Sequence, residues 1–197
     1  MYNIVIEKLH FINISTEEFA IFDWKPPGIF KSFILDLNII KENTSAATDI
    51  FFHINKGNMK IVYIKMDSLI YSIGSDQDVQ YQILEALLEK VHEKFNEIYD
   101  VKVIFSYGNV TASIFKNFAN EINDILKNLK ELDLFRKVDV LCSVCKKVHH
   151  LYLKKSIMTQ ATSFPVPIVF HHRGHAVVCY IDQNFVVRGV EWVNTTG

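Results

Sequence analysis

The sequence predicts a mixed α+β fold: an antiparallel sheet flanked by amphipathic helices, followed by a small β-rich C-terminal module. Three observations carry this. Short Ile/Val/Phe/Tyr runs separated by turn residues fill positions 50 to 74. Two stretches of helical period follow, and after residue 133 short β-like runs alternate with a CxxC and a histidine-rich turn.

Composition sets the outer limits. A chain of 197 residues with 49% hydrophobic content can bury a real core, as one large domain or as a domain plus a small module. No apolar run approaches the ~18 residues of a membrane span. In "MYNIVIEKLH", Glu7 and Lys8 stand where a secretory leader would stay apolar, so the segment reads as a first strand. Three cysteines, two of them in a CxxC, fit a reducing compartment and metal or redox use better than a disulfide framework, and a cytoplasmic location is expected. Charge is uneven: residues 1 to 126 hold 11 basic and 17 acidic groups (−6), residues 127 to 197 hold 10 and 5 (+5), which together give the net −1. This change of character predicts an α/β domain over residues 1–132 and a second unit over 133–197.

The elements follow in order. "YNIVIEKL" and "EFAIFDW" have strand composition. Behind "KPPG", the residues Phe30, Phe33, Ile34 and Leu37 fall at i, i+3, i+4 and i+7 with Pro27 placed to open a first turn, which predicts a helix. After the loop "KENTSAAT", the runs "DIFFHI", "MKIVYIKM" and "LIYSIG" are joined by "NKGN" and by Asp67-Ser68, giving a three-stranded meander. Ser75 and Asp78 form a capping pattern ahead of a long helix to Tyr99 with Leu84, Leu87, Leu88, Val91, Phe95 and Ile98 on one face and Glu85, Glu89 and Glu93 opposite. "VKVIFSYGN" reads as an additional strand, and a second helix carries Ile114, Phe115, Phe118, Ile122, Ile125, Leu126 and Leu129 on its stripe. No repeat or low-complexity tract interrupts this order.

The stretch "MKIVYIKMDSLIYSIGSDQDVQYQILEALLEKVHEKFNEIYD" resembles the middle of a longin domain, and the element order to about residue 130 is similar to that family and to profilin-like and roadblock-like domains. The resemblance implies a binding module that forms dimers, holds peptides or contacts small GTPases in trafficking or GTPase-regulating assemblies, without covalent chemistry. The residues themselves agree in one respect. Positions 1 to 130 contain no Gly-rich phosphate loop, no GxSxG, no HExxH and no concentrated carboxylate pair. Asp23 beside Trp24 and Asp67 before Ser68 read as strand-end and turn residues.

The second unit carries the chemistry-bearing side chains. "KVDVL" and "KVHHLYLKK" flank "CSVC", while "VPIVF" and "AVVCYI" flank "HHRGH", so two hairpins are expected, each tipped with candidate ligands. In a zinc ribbon such tips share one metal, because a CxxC knuckle aims two thiolates at a point and a second pair completes the tetrahedron. Cys142 and Cys145 form the first pair; His175 with His172, or with His171 in its place, forms the second. Cys179, inside an apolar run, reads as core, and His149 and His150, on opposite faces of a strand, as surface or outer-shell residues. The last stretch, "YIDQNFVVRGVEWV", is a hairpin turning at Asp182 to Asn184, with Arg188 a candidate ion-pair partner.

Two other functions are weighed against the scaffold reading. A zinc-dependent hydrolase needs three protein ligands, an open position and a nearby base; no HxE signature occurs, and the acids that follow "HHRGH", Asp182 and Glu191, lie beyond the second hairpin. A nucleic-acid-binding ribbon would use Lys127, Lys130, Arg136, Lys137, Lys146, Lys147, Lys154, Lys155 and Arg173 on phosphates, but Tyr152, Phe170 and Phe185 alternate as core residues do. The sequence therefore favours a non-catalytic scaffold that binds protein or a second copy of itself, with zinc in its second unit.

Overall fold

The computed structural model describes residues 2–28, 50–106, 112–129, 132–172 and 175–193. The chain divides into two compact units, Met1–Leu129 and Lys130–Gly197, where the sequence places the division between 132 and 133. The helix expected from Pro27 onward falls on residues 29 to 40, outside the described residues.

In the first unit, α1 (Tyr2–Glu7) precedes β1 (Leu9–Ser15), β2 (Ala20–Trp24), β3 (Phe51–Lys56), β4 (Met59–Met66) and β5 (Leu69–Asp76). These strands form one antiparallel sheet in the order β2-β1-β5-β4-β3. The expected first strand at residues 2 to 9 is thus a helix followed by a strand. The reason is pairing: the β1–β5 ladder starts at Leu9↔Ser75 and β5 ends at Asp76, so among the described residues no strand continues the ladder beside residues 2 to 7. The meander of β3, β4 and β5 is as expected, with two-residue turns at Gly57-Asn58 and Asp67-Ser68.

The long helix α2 (Tyr81–Ile98) lies against β4 and β5. It buries Leu84, Leu87, Leu88, Val91 and Phe95, each worth about 1.5–3 kcal/mol on transfer from water. Three details differ from the sequence reading, the first being Ile98, which lies in the last turn and is 43% exposed instead of joining the buried face. Ser75 is a buried strand residue and not a cap, since β5 runs through it, and the helix starts from Gln80 without a side-chain cap. Glu85 is turned toward the sheet, where its Oε1 lies 2.9 Å from Nε2 of His53.

"VKVIFS" is helical, as α3 (Val101–Ser106), and not a strand. Its β-branched composition is overruled at the start: Oδ1 of Asp100 accepts from the Val103 amide at 3.1 Å, which satisfies a first-turn N–H that a strand would have left to a neighbour. The second long helix is also broken, into a 3-10 turn at Ala112–Phe115 and α4 (Phe118–Lys127). A 3-10 turn brings residues three apart onto one side. Phe115 and Phe118 both reach Phe95, at 5.3 and 5.0 Å between ring centres, and Ile114 is left on the surface.

The second unit pairs β6 (Leu134–Leu141) with β7 (Val148–Lys154), followed by a short helix α5 (Lys155–Thr159). The strands β8 (Val166–His172), β9 (His175–Ile181) and β10 (Val187–Val193) form a second antiparallel sheet, ordered β10-β9-β8. The C-terminal hairpin thereby extends this sheet. One core joins both sheets: Val138, Val140, Leu151, Leu153, Ile168, Phe170, Val177 and Ile181, with Cys142 and Cys179 among them. The turn into β10 is held by Asp182, whose carboxylate accepts from the amides of Asn184 and Val186 at 2.9 Å each and from Arg188 Nε at 2.6 Å.

Candidate functional site

Two places gather side chains beyond what folding requires. The first is a groove in the first unit, built from three turns. Between β1 and β2, the Thr16 hydroxyl oxygen accepts from the amides of Glu18 and Phe19 at 3.1 Å each, a local turn that leaves Phe19 44% exposed. Between β4 and β5, Asp67 takes a left-handed conformation (φ 55), which a short polar side chain tolerates. Asp100 then sets the entry of α3. Together Thr16 to Phe19, Lys65, Asp67, Ser68, Val101, Lys102 and Phe105 line an open groove of about 800 Å³.

Phe19, Val101 and Phe105 supply its apolar surface, and an ion pair between Lys65 and Glu17 crosses its lining. A smaller recess of about 240 Å³ adjoins it, sharing Asp67, Ser68, Val101 and Lys102. Among the described residues, no histidine, cysteine or tyrosine lines the larger groove, and those that line it offer apolar contact and charge but no activated nucleophile. Sequence reading missed the groove, because Phe19, Lys65 and Phe105 meet only through the strand order. Asp23, as expected, is a strand-end residue, with Oδ2 2.8 Å from Nζ of Lys25.

The second place is the CxxC. Cys142 follows the last β6 residue; its amide donates to the Lys147 carbonyl and its own carbonyl accepts from the Lys146 amide, both at 3.0 Å. The reciprocal pair closes a tight knuckle and forces Lys146 into the left-handed region (φ 57), where glycine is the residue without strain. Cys142 is buried and Cys145 half-buried. Burial pushes the Cys142 thiol up, but the backbone amides of Cys145 and Val144, the Cys145 side chain and the Lys146 charge outweigh it and hold the thiol below its ordinary value. Cys179 goes the other way, up to about 11, through burial and then the nearby Cys142 charge. Its place in the core agrees with the sequence reading.

His149 is the addition. Its Nε2 lies 3.2 Å from Sγ of Cys145, and its ring centre lies 5.8 Å from that of Phe170. His150 points elsewhere, with Nδ1 2.6 Å from Oδ1 of Asp139 on the paired strand. On the other hairpin, the register pairs His172 with His175 across the turn, two positions beyond the Phe170–Val177 pair. The side chains of His171, His172 and His175 lie outside the described residues. Among the described residues, no group of three or more His, Cys, Asp or Glu side chains is arranged to hold a metal. What the knuckle itself offers is two thiols, with one imidazole beside the second. Comparison of the chain with family models and with curated proteins gave no match.

Proposed function

We propose that this protein is a non-catalytic interaction scaffold whose first unit, a longin-like domain, binds a protein partner or a second copy of the chain, in a small-GTPase-linked or trafficking-like assembly. The groove carries the reading. Its 800 Å³ are lined by apolar rings and by acidic and basic groups, a combination suited to a peptide segment, and among the described residues no lining side chain is an activated nucleophile. The sheet order adds support, since β2 and β3 form the two ends of the five-stranded sheet and a partner strand can extend such an edge. Zinc belongs to the same proposal: Cys142 and Cys145 present two thiols from one knuckle, and His175 with His172, or His171 in place of His172, would complete a structural site.

The test is self-association and complex formation of the full chain by size-exclusion chromatography with light scattering. A dimer, or a stable complex with a copurifying protein, is expected, and Phe105→Asp with Phe19→Asp should disperse it while leaving the circular dichroism unchanged. A strict monomer that turns over a small substrate, or that binds nucleic acid with a steep salt dependence, would overturn the reading.

A further inference from the structure

The tip of the β6–β7 hairpin combines two properties that the core does not need. Leu141 and Val148, the last cross-strand pair, are 59% and 56% exposed, and Val144 at the crown of the turn is 42% exposed. Their neighbours along the chain, Val140 and Cys142, are buried, so the strand turns its alternate face outward here by register. Beside them stand Lys146 and Lys147, both exposed and neither in an ion pair among the described residues. Two backbone bonds between Cys142 and Lys146-Lys147 close this turn, and the aliphatic and ammonium groups project from it.

We propose that this tip is a docking surface for an anionic lipid bilayer, with Leu141, Val144 and Val148 entering the boundary between headgroups and acyl chains and Lys146 and Lys147 resting on lipid phosphates. Charge selects this occupant over a neutral surface. Residues 130 to 197 hold 9 basic and 5 acidic groups, a net +4 in a chain that is −1 overall. The aliphatic groups select it over nucleic acid, whose phosphates would engage the lysines but leave three branched apolar side chains in water. Each lysine near an anionic membrane strengthens partition about fivefold, an effect that salt screens within a Debye length. The surface lies in the second unit and does not depend on the groove of the first.

The experiment is co-sedimentation of the full chain with vesicles of phosphatidylcholine alone and of phosphatidylcholine with phosphatidylserine. Binding should appear only with phosphatidylserine and weaken with added salt. Lys146→Glu with Lys147→Glu should reduce it by at least about 25-fold, two lysines at fivefold each. Val144→Asp should also weaken binding, and Val144→Trp should show a blue-shifted emission on adding the anionic vesicles. Lys146 and Val144 also act on the Cys142 thiol, so zinc content and melting temperature are checked in parallel, and Lys147→Glu with Val148→Asp, at two exposed positions outside the thiol's contacts, should give the same loss of vesicle binding. Equal binding to both vesicle types, no binding to either, or binding that survives the lysine reversal would overturn the proposal. So would association with an oligonucleotide or an acidic protein that Val144→Asp leaves unchanged while vesicles are ignored.

Discussion

The Nε2 atom of His149 lies 3.2 Å from the Sγ atom of Cys145, four residues earlier across the knuckle of the β6–β7 hairpin. The contact places an imidazole against one of the two sulfurs that the proposed zinc centre would use. From there it can hydrogen-bond a thiolate and fix its orientation, the part that groups beyond the ligands play at metal sites.

The zinc proposal therefore makes a graded prediction. Elemental analysis of the purified chain should find about one zinc per molecule. Cys142→Ser should lower that content and loosen the second unit, because metal binding adds to folding free energy. His149→Ala should keep the metal at saturation but weaken its affinity by roughly 10–100-fold. Metal-free protein whose melting is indifferent to a chelator would remove the zinc centre altogether.

The helix α2 should respond by face. Leu88 is fully buried, and Leu88→Ala is expected to cost about 2–5 kcal/mol in urea denaturation. Glu93 is exposed, with Oε2 2.9 Å from Nζ of the half-buried Lys90, and should change stability by less than about 0.5 kcal/mol on replacement by alanine. Equal losses would mean that the buried face is misplaced.

Gly74 is required by a close approach. It pairs with Phe11 across β1 and β5, and a Cβ at position 74 would sit 2.2 Å from Cε1 of the Phe11 ring. Phe11 is 2% exposed, so displacing its ring means repacking buried neighbours. Gly74→Ala should thus destabilise the protein by about 1–3 kcal/mol through overpacking. Adding Phe11→Leu should recover part of that loss, and the double-mutant cycle measures the coupling. Independent, additive effects would show that the ring is not the obstacle.

Lys60 predicts a rise of stability with pH. The side chain is 4% exposed, donates from Nζ to the Val79 carbonyl at 2.5 Å and lies 4.1 Å from the centre of the Tyr81 ring. Burial lowers its pKa to about 8, with Asp78 pulling the other way. In the unfolded chain a lysine keeps its proton to about pH 10.4, so between the two values the unfolded state binds more protons and unfolding becomes harder as pH rises. The gain is at most about 3 kcal/mol, at about 1.4 kcal/mol per pKa unit. Lys60→Met should flatten this limb of the stability profile between about pH 7.5 and 10, and an unchanged slope would assign the effect to other groups.

The sequence by itself determined the elements whose pattern is long or whose turns are chemically marked. The meander of β3 to β5 was legible because Gly57 and Asp67 mark its turns, and α2 because Leu84, Leu87, Leu88, Val91 and Phe95 recur at helical spacing over 18 residues. The two hairpins around "CSVC" and "HHRGH" were legible for similar reasons. Short β-branched segments were not: "YNIVIE" and "VKVIFS" both have strand composition, and both are helical where no ladder partner or an Asp100 cap decides the matter. Only the tertiary structure brought Phe19, Lys65 and Phe105 to one groove and His149 to Cys145. Local pattern reports which face a residue prefers, whereas such meetings depend on strand order and register, which are set by the packing of segments far apart in the chain.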